Sequence, residues 1–380
     1  MTTNTFEQKR ERINSLSKQD LWFPSATSRM SGAKTQTETD WISPYLGIRR
    51  GIEKGIIDES YFSTLSQDVI GSDQLNRARG ALIGAAIGDA LGTTIEFTQP
   101  GSFTPVTDIT GGGPFNLKAG EWTDDCSMML CLAHSLVRTQ SFDLKDQIEL
   151  YIKWWKEGAF SVTAECFDIG MTVQSALENY LSTGNPESGP TDKYSAGNGS
   201  LMRLAPVPIR YISDFAEAVE YSGKSSLTTH GAIEAIDACR YFGGLLWGAL
   251  NGASKAELLN GIYDPTGTYW ASNPLCTSIE ELVTQGAYKT KSADEVRGSG
   301  YALHSLEAVL WAFFSTSSFE EGLLKAVNLG EDADTTGCIY GQLAGAFYGE
   351  KQIPIRWVDK VKFNYMFYLK AQELLTLTGK

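Results

Sequence analysis

The chain has 380 residues, of which 42% are hydrophobic and 20% are charged, and its net charge is −13. This composition is typical of a globular protein with a large core, and the acidic balance argues against a nucleic-acid partner. Six scattered cysteines without a Cys-x-x-Cys pair and only three histidines argue against a zinc site.

The N-terminus and the apolar segments bear on where the protein works. The N-terminal stretch MTTNTFEQKRERINSLSKQD is polar and charged, unlike a secretory signal. No apolar run approaches the roughly 20 residues that are needed to span a bilayer. We therefore expect a soluble, cytoplasmic protein with no membrane partner.

Residues 1–75 differ in composition from the rest of the chain. The segment is polar and its basic and acidic side chains nearly balance, so that almost all of the net negative charge lies in residues 76–380. It contains aromatic residues, among them Trp22 and Trp41, that could dock on another surface. We interpret residues 1–75 as an N-terminal extension and residues 76–380 as the main domain. The extension either binds a partner, packs on its own main domain or bridges to a second subunit.

From Arg77 onward, apolar residues recur at intervals of three and four, which predicts α-helices. The pattern appears in RARGALIGAAIGDALG, CSMMLCLAHSLVRT, CFDIGMTVQSALENYL, HGAIEAIDACRYFGGLLWGAL, ALHSLEAVLWAFF, FEEGLLKAVNLG and TTGCIYGQLAGAFYG. Loops rich in Gly, Pro, Asn and Asp separate these segments, and no alternating series predicts a strand. The pattern predicts one large all-α domain with orthogonally packed helices.

Two of the predicted helices carry a glycine at every fourth position. The two rows are Gly80, Gly84, Gly88 and Gly92, and Gly337, Gly341, Gly345 and Gly349. A glycine inside a helix costs about 1 kcal/mol relative to alanine, so a whole row needs a compensating contact. Residues four apart share a helix face, and a face without side chains lets another backbone approach closely. We predict that both helices are central and tightly packed.

Two clusters of carboxylates and hydroxyls stand at the start of predicted helices. They are Thr123, Asp124 and Asp125, and Asp332, Asp334 and Thr335. Asp and Thr commonly cap helices, but one cap needs one side chain, and several carboxylates repel one another unless a cation lies between them. Oxygen ligands suit Mg²⁺ or Mn²⁺. If the clusters face each other, they can hold a pair of ions, as two-metal hydrolases do.

Six motifs in order along the chain closely resemble the ADP-ribosylglycohydrolase family. They are GAAIGDALGTTIEF, GGGPFNLKAGEWTDD, FDIGMTVQSAL, SAGNGSLMRLAPV, SLTTHG and NLGEDADTTGCIYGQLAGAFYG, from about Arg77 to Tyr348. The resemblance implies an all-α fold with a binuclear metal centre in a cleft. It also implies a hydrolase that releases ADP-ribose from protein side chains. The motif set looks most like the bacterial branch that acts on arginine and includes the enzymes that reactivate dinitrogenase reductase.

The resemblance also implies roles for individual residues. Two divalent cations, Mg²⁺ or Mn²⁺, would be bound by Thr123, Asp124, Asp125, Asp332, Asp334 and Thr335. Glu96 falls where several family members place an acidic residue at the metal centre, and Asp168 matches a carboxylate implicated in the chemistry of the bacterial branch. We take Glu96 and Asp168 as catalytic candidates, with a hydrogen-bonded structural role as the alternative for each. Cys126 and Glu331 depart from the family's pattern, where a threonine and a glycine are frequent.

The segment 195–200 and His230 fall where the family holds ADP-ribose. Independently of the resemblance, Gly197 and Gly199 permit positive φ angles and expose N–H groups that can cradle a pyrophosphate, although such a pair is more often a turn. His230 could instead be a buried structural histidine, and Arg203 could bind phosphate or form a salt bridge.

The glycine-rich loop 111–114 could cover the ligand, and Phe115 could stack on it. The candidate substrate-binding residues are therefore Gly113, Phe115, Ser195, Gly197, Asn198, Gly199, Ser200 and His230.

Two functions of different kinds follow from these observations. In the first, the chain is a glycosidase that removes ADP-ribose from modified proteins, with arginine as the leading linkage and serine or other linkages as alternatives. In the second, residues 1–75 bind an ADP-ribosyltransferase toxin and block its active site, because some relatives of the family look like immunity proteins against such toxins. Both roles could belong to one chain.

Overall fold

The computed structural model describes residues 73–377. These residues form α-helices and short 3₁₀ turns without a strand, and two isolated β-bridges join Gly112 to Leu117 and Gly197 to Tyr301. The all-α prediction is confirmed. Within the described residues, no helix combines the length and the apolar character needed to cross a membrane. The predicted N-terminal extension lies outside the described residues except for its last three positions.

The described residues contain fifteen α-helices. In chain order they are α1 (Asp73–Gly92), α2 (Asp124–Thr139), α3 (Leu144–Glu157), α4 (Met171–Thr183), α5 (Pro206–Arg210), α6 (Phe215–Ser226), α7 (Ile233–Leu250), α8 (Lys255–Leu258), α9 (Tyr269–Ser272), α10 (Thr277–Gln285), α11 (Ala302–Phe314), α12 (Phe319–Val327), α13 (Ala333–Tyr348), α14 (Ile355–Val358) and α15 (Asn364–Thr376). Helices α1 to α14 and most of α15 belong to the larger of two compact units, Gly71–Lys362 and Phe367–Lys380.

Several helices begin and end where their sequence provides capping groups. Asp143 precedes α3 and accepts hydrogen bonds from two backbone N–H groups of its first turn, and Asp214 and Ser318 cap α6 and α12 by accepting one each. Gly158 and Gly184 end α3 and α4 in the left-handed conformation, which glycine adopts without a steric penalty. These caps set the helix boundaries.

Helices α1 and α13 form the centre of the fold and pack against each other through their glycine rows. The contacts run antiparallel and pair Gly80 with Gly345, Gly84 with Gly341, and Gly88 with Gly337. A Cβ atom on Gly337 would lie 2.6 Å from the carbonyl oxygen of Gly88, closer than real Cβ atoms approach. Both rows lie in buried parts of their helices. The prediction of two central, tightly packed helices is confirmed.

The glycine rows also determine what lies at the two ends of this helix pair. Gly349 ends α13 and lies against the side chain of Asn76 rather than against another glycine. At the opposite end, Gly92 lies against the backbone of Ala333 and Asp334, at the start of α13. The end of α1 and the start of α13 are thereby brought together, and α13 also packs on α7, α11 and α12.

Candidate active site

The two clusters predicted from the sequence lie together at the starts of α2 and α13. The hydroxyl of Thr123 lies 3.2 Å from Oδ2 of Asp125 and 3.4 Å from Oδ2 of Asp334. The hydroxyl of Thr335 lies 3.4 Å from the same oxygen of Asp125. Thr123 and Asp332 occupy the N-cap positions, but neither side chain makes a capping hydrogen bond within the described residues. Capping therefore does not account for these two residues.

Two further carboxylates approach the clusters from other parts of the chain. Carboxylate oxygens of Glu96, Asp168 and Asp334 lie within 4.8 Å of one another. Glu96 directly follows the 3₁₀ turn Thr93–Ile95 at the end of α1, and Asp168 lies in the loop before α4. Asp168 has a φ of +56°, in the left-handed region that few non-glycine residues adopt and that is enriched at functional sites.

Burial and mutual repulsion shape the electrostatics of this carboxylate cluster. Burial, followed by the charges of neighbouring carboxylates, raises the pKa of Glu96 to about 9 and that of Asp168 to about 7. Burial likewise raises the pKa values of Asp124, Asp125 and Asp334 well above their usual range. Each of these groups would be easier to ionise if a positive charge lay between them.

Some carboxylate oxygens in the cluster are buried without a hydrogen bond from the described residues. They are Oε2 of Glu96, Oδ1 of Asp125 and Oδ1 of Asp334. A buried acceptor that lacks a partner is costly, and hard divalent cations take several carboxylate and hydroxyl oxygens as ligands. The cluster therefore has the donor set and the charge that fit Mg²⁺ or Mn²⁺.

Asp89 belongs to the site and was missed by sequence reasoning. It lies on α1, is fully buried, and accepts hydrogen bonds from the backbone N–H of Thr123 at 2.8 and 3.0 Å and of Cys126 at 3.3 Å. Burial raises the pKa of Asp89 to about 6, although these hydrogen bonds oppose the shift. Asp89 thus holds the first turn of α2 from outside that helix. Its signal in the sequence was a lone carboxylate inside a run of glycine, alanine and aliphatic residues.

A cleft of about 820 Å³ lies over the cluster. This volume is within the range that small-molecule ligands and cofactors occupy. Its lining includes the carboxylates of Glu96, Asp124, Asp168, Glu331 and Asp332 and the hydroxyl of Thr335. The rest of its lining comes mainly from the segments 97–100, 170–173 and 197–199, together with His230, Ser299 and Gly300. Sequence reasoning had not assigned the first two segments, Ser299 or Gly300 to the site.

The loop 197–199 connects the cleft to the second acidic cluster. The amide of Asn198 donates to Oδ2 of Asp332 at 2.6 Å and to the hydroxyl of Ser305 at 2.9 Å. Gly197 and Gly199 do not adopt positive φ angles, so the conformational reason predicted for these glycines is wrong. Glycine is needed here instead because a side chain at either position would collide with a neighbouring ring.

The imidazole of His230 lies directly against both glycines. A Cβ atom on Gly197 would lie 3.1 Å from Nε2, and one on Gly199 would lie 2.8 Å from Cε1. Nδ1 of His230 is 2.9 Å from the hydroxyl of Thr229. Burial, with a smaller effect of Arg203, lowers the pKa of His230 to about 3, so the ring is neutral at physiological pH. His230 is thus a buried histidine that also lines the cleft.

Arg203 supports this loop rather than binding a ligand. It is fully buried and donates to the carbonyl oxygen of Gly199 at 3.2 Å and to the hydroxyls of Thr228 and Thr229 at 3.1 and 2.7 Å. Its guanidinium also lies 4.5 Å from the centre of the Tyr151 ring. Within the described residues it neither lines the cleft nor forms a salt bridge, so neither predicted role is observed.

The other candidate substrate-binding residues lie around the cleft but do not line it. Ser195 donates to Asp192 at 2.5 Å near the surface, and Ser200 is fully buried and accepts a hydrogen bond from Ser226 at 2.8 Å. Both residues flank the loop 197–199 in the chain. Their side chains are engaged with the protein itself.

Gly113 and Phe115 also lie outside the cleft lining. Gly113 has a φ of +67° and packs tightly against the carbonyl group of Thr93, in the turn that leads to Glu96. The ring of Phe115 packs on Phe167 with ring centres 5.3 Å apart, next to Asp168. The loop therefore contacts the segments that carry the two catalytic candidates.

Comparisons with known proteins identify the family of the chain. Residues 71–379 match the family model for ADP-ribosylglycohydrolase. The chain is 43% identical over 300 residues to the ADP-ribosylarginine hydrolase Tri1 of Pseudomonas putida (strain GB-1), covering 79% of this chain and 78% of that protein. It is 30% identical to the ADP-ribosyl-[dinitrogen reductase] glycohydrolase of Rhodospirillum rubrum, covering 80% of this chain and 97% of that one.

A solved structure described as an ADP-ribosylglycohydrolase-related protein complex is also similar. It matches with a TM-score of 0.70 and 39% sequence identity, covering 80% of this chain and 99% of that one. The family match therefore extends over the helices and loops that form the cleft, and the resemblance read from the six motifs is confirmed. The chain belongs to the ADP-ribosylglycohydrolase family of hydrolases.

Proposed function

We propose that this protein hydrolyses the N-glycosidic bond between ADP-ribose and arginine side chains of modified proteins. The observation that carries the proposal is the meeting of Glu96, Asp168 and Asp334 within 4.8 Å at a cleft of about 820 Å³. Arginine is favoured over serine and other linkages because two relatives that are 41% and 43% identical are ADP-ribosylarginine hydrolases.

Two divalent cations, Mg²⁺ or Mn²⁺, complete the site in this proposal. The proposed ligands are Thr123, Asp124, Asp125, Asp332, Asp334 and Thr335. When bound, such ions supply positive charge that can hold the ribose hydroxyls and lower the pKa of a water molecule. The buried, unpartnered oxygens of Asp125 and Asp334 support this assignment, because the described residues leave their hydrogen-bonding capacity unused.

Glu96 and Asp168 are the proposed acid and base groups. Cleavage of a glycosidic bond develops positive charge at the anomeric carbon, which nearby carboxylates stabilise. Guanidine leaves slowly unless it is protonated or keeps its positive charge, so a carboxyl group near the bond helps it to depart. Both carboxylates line the cleft beside Asp334, and we leave open which of them handles the proton.

The ADP-ribose moiety is proposed to lie along the loop 197–199 and His230. Gly197, Asn198, Gly199 and His230 line the cleft, and the hydrogen bond from Asn198 to Asp332 joins this wall to the proposed metal ligands. Because the neutral imidazole of His230 fills the space beside the two glycines, it would shape the loop as well as contact the ligand. The remaining candidates, Gly113, Phe115, Ser195 and Ser200, would act by supporting these segments.

The test is the incubation of purified full-length protein with ADP-ribosyl-arginine, with free ADP-ribose as the readout. We expect release with Mg²⁺ or Mn²⁺, no release with EDTA, and recovery when metal is added back. Asp334→Ala should abolish release, whereas Asp294→Ala, which removes an exposed carboxylate outside the cleft, should not. Equal activity of metal-stripped protein would overturn the metal assignment, and release only from ADP-ribosyl-serine would reassign the linkage.

Glu96→Gln and Asp168→Asn test the proton-handling assignment separately. A group that transfers a proton in the slow step should lower kcat by about 100-fold or more when it is replaced by its amide. The same change should leave KM within a few-fold of its original value. Two variants with unchanged kcat would return both residues to a structural role.

We also propose that residues 1–75 bind an ADP-ribosyltransferase, so that the chain confers immunity both by blocking that enzyme and by reversing its product. The support is that the family match begins at residue 71 and leaves almost all of this segment outside the hydrolase domain. Deleting residues 1–70 should abolish binding to an arginine-specific ADP-ribosyltransferase and spare hydrolysis. The double variant Asp332→Ala and Asp334→Ala should do the reverse. Undiminished binding after the deletion would refute the proposal.

A further inference from the structure

Two large apolar side chains line the cleft and yet remain exposed. Phe97 and Met171 keep 66% and 90% of their surface accessible, whereas most large apolar side chains of the described residues are buried. Phe97 directly follows Glu96, and Met171 lies three residues after Asp168. Exposed apolar groups at the edge of a cleft are typical of surfaces that contact another molecule.

The backbone at Phe97 adopts a conformation that an aromatic residue rarely takes. Its φ is +60°, and Glu331, with a φ of +57°, lies beside it. The N–H of Phe97 donates to the carbonyl oxygen of Glu331 at 2.7 Å, and the N–H of Glu331 donates to that of Thr98 at 2.7 Å. Such a conformation costs on the order of 1–3 kcal/mol, which glycine would avoid. The paired hydrogen bonds hold the strained backbone and keep the ring at the cleft edge.

Met171 is exposed for a different structural reason. It is the first residue of α4 and follows Gly170, so its side chain extends from the beginning of the helix, and it lines the cleft. Methionine is flexible and polarisable, and it adapts to partners of different shapes. A rigid aromatic ring and an adaptable thioether at one cleft suit contact with a variable protein surface.

We propose that Phe97 and Met171 form a docking rim for the folded protein that carries the ADP-ribosylated arginine. This inference rests on the proposed function. If ADP-ribose occupies the cleft, the modified side chain must leave it next to the reacting bond, which is beside Glu96 and Asp168. Among the residues that line the cleft, the exposed large apolar side chains are those of the docking rim, one and three residues after these carboxylates in the chain. The surface of the substrate protein around the modified arginine therefore covers the docking rim.

The test compares a small and a large substrate in the same full-length enzyme. The small substrate is ADP-ribosyl-arginine, and the large one is lysozyme that carries ADP-ribose on arginine. In the double variant Phe97→Asn and Met171→Gln, we expect the ratio of kcat/KM for modified lysozyme to kcat/KM for ADP-ribosyl-arginine to fall at least tenfold, mainly through KM. Asparagine tolerates positive φ, and glutamine favours helices, so both replacements are compatible with the local backbone.

Leu181→Gln and Ile355→Gln serve as matched controls. These side chains are also exposed, at 56% and 58%, but they lie outside the cleft lining, so the ratio should stay unchanged. A docking-rim variant with an unchanged ratio overturns the inference while the wild-type enzyme still cleaves both substrates. An equal loss on both substrates also overturns it, because it would place the two residues against the arginine or the ADP-ribose itself. Failure of the wild-type enzyme to cleave ADP-ribosyl-arginine would instead refute the proposed function.

Discussion

Asp89 joins the central helix α1 to the proposed metal ligands because it accepts from two backbone N–H groups at the start of α2, those of Thr123 and Cys126. Replacing Asp89 with asparagine keeps the shape but places an NH₂ group opposite a backbone N–H. We expect Asp89→Asn to lower metal affinity or activity by about 10–100-fold, as loss of outer-shell partners does. The free energy of unfolding should fall by about 1–3 kcal/mol. Metal titration and denaturant unfolding measure the two effects.

The control for Asp89 is another carboxylate that accepts backbone N–H groups. Asp143 accepts from the N–H groups of Lys145 and Asp146 at the start of α3. Asparagine is an equally good helix cap, so Asp143→Asn should leave activity unchanged and stability nearly so. If Asp89→Asn were as mild as Asp143→Asn, Asp89 would have no positioning role.

The low pKa of His230 predicts how the free energy of unfolding depends on pH. Its pKa of about 3 in the folded protein lies below the usual value of about 6.5, so the unfolded chain takes up the proton first as pH falls. The folded state is therefore penalised progressively between pH 6.5 and 3. Relative to His230→Gln, the wild-type protein should lose about 2 kcal/mol of unfolding free energy between pH 7.5 and pH 5. Denaturant unfolding of both proteins at the two pH values, in EDTA, measures this; a constant difference would contradict it.

For single residues, the sequence shows where carboxylates are concentrated better than it shows which residues contact one another. The acidic clusters were recognisable because several carboxylates adjoin one another at two helix starts. Asp89 was not, because its partners Thr123 and Cys126 lie more than thirty residues away and a single polar residue in an apolar helix has many explanations. The loop at Gly197 lines the cleft, but the reason for its glycines depends on the ring of His230, which only the folded chain brings there.

Among the elements, α1 and α13 depend on main-chain contact more than on side-chain packing. We expect Gly84→Ala to lower the free energy of unfolding by about 3 kcal/mol or more, because the added methyl group would lie under 3.0 Å from the carbonyl oxygen of Gly341. This loss should occur although alanine favours a helix by about 1 kcal/mol over glycine. Denaturant unfolding provides the measurement.

Gly244 in α7 is the matched control for Gly84. A methyl group there would meet side-chain atoms of Phe215 and Val219 at 3.3 and 3.4 Å, and these can shift slightly. Gly244→Ala should therefore change stability by no more than about 1 kcal/mol in either direction. Equal effects at Gly84 and Gly244 would mean that the helices can separate without penalty.

The glycine period predicted close packing, but it could not identify the partner of either row. A four-residue repeat fixes which face is bare, whereas the antiparallel pairing of Gly80 with Gly345 depends on the whole chain. The same repeat included Gly349, which the structure places at the end of α13 against Asn76. The four-residue glycine repeat thus extends one position beyond the close contact between the two helices.

For the molecule as a whole, the proposed metal binding at the carboxylate cluster should contribute to folding stability. Glu96, Asp124, Asp168 and Asp334 come from four separate stretches of chain, and their repulsion opposes folding until a cation neutralises it. A cation at 100 times its dissociation constant should stabilise the protein by about 2.7 kcal/mol, a rise of several degrees in Tm. Mg²⁺ or Mn²⁺ should raise Tm above its value in EDTA.

Asp334→Asn should separate the repulsion among the carboxylates from the stabilisation by a bound cation. Without metal, the variant should unfold at a higher temperature than the wild-type protein, because one of the repelling charges is gone. With metal, it should gain little. The proposed site would be contradicted if neither ion changed the Tm of the wild-type protein, or if the ions raised the Tm of the variant as much as that of the wild-type protein.

The all-α fold was predictable because the helical period covers most of the main domain and the six motifs are specific. The cleft was not predictable in the same way. Its lining combines the segment 96–100 that follows α1, the start of α4 and the loops at 197–199 and 299–300, and each contributes only a few residues. No local pattern records which loops meet, so exposed lining residues such as Phe97 and Met171 emerged only from the folded chain.

The antiparallel contact between the glycine rows has a consequence for how new specificities can arise. Main-chain atoms set the separation of α1 and α13. Exchanging one side chain for a slightly larger or smaller one therefore cannot adjust the spacing of the acidic groups near these helices step by step. We expect diversification instead in the segments 97–100 and 170–173, which include exposed positions at the cleft. A library confined to these segments should yield many folded enzymes with altered protein preferences, whereas one spread over the glycine rows should yield almost none.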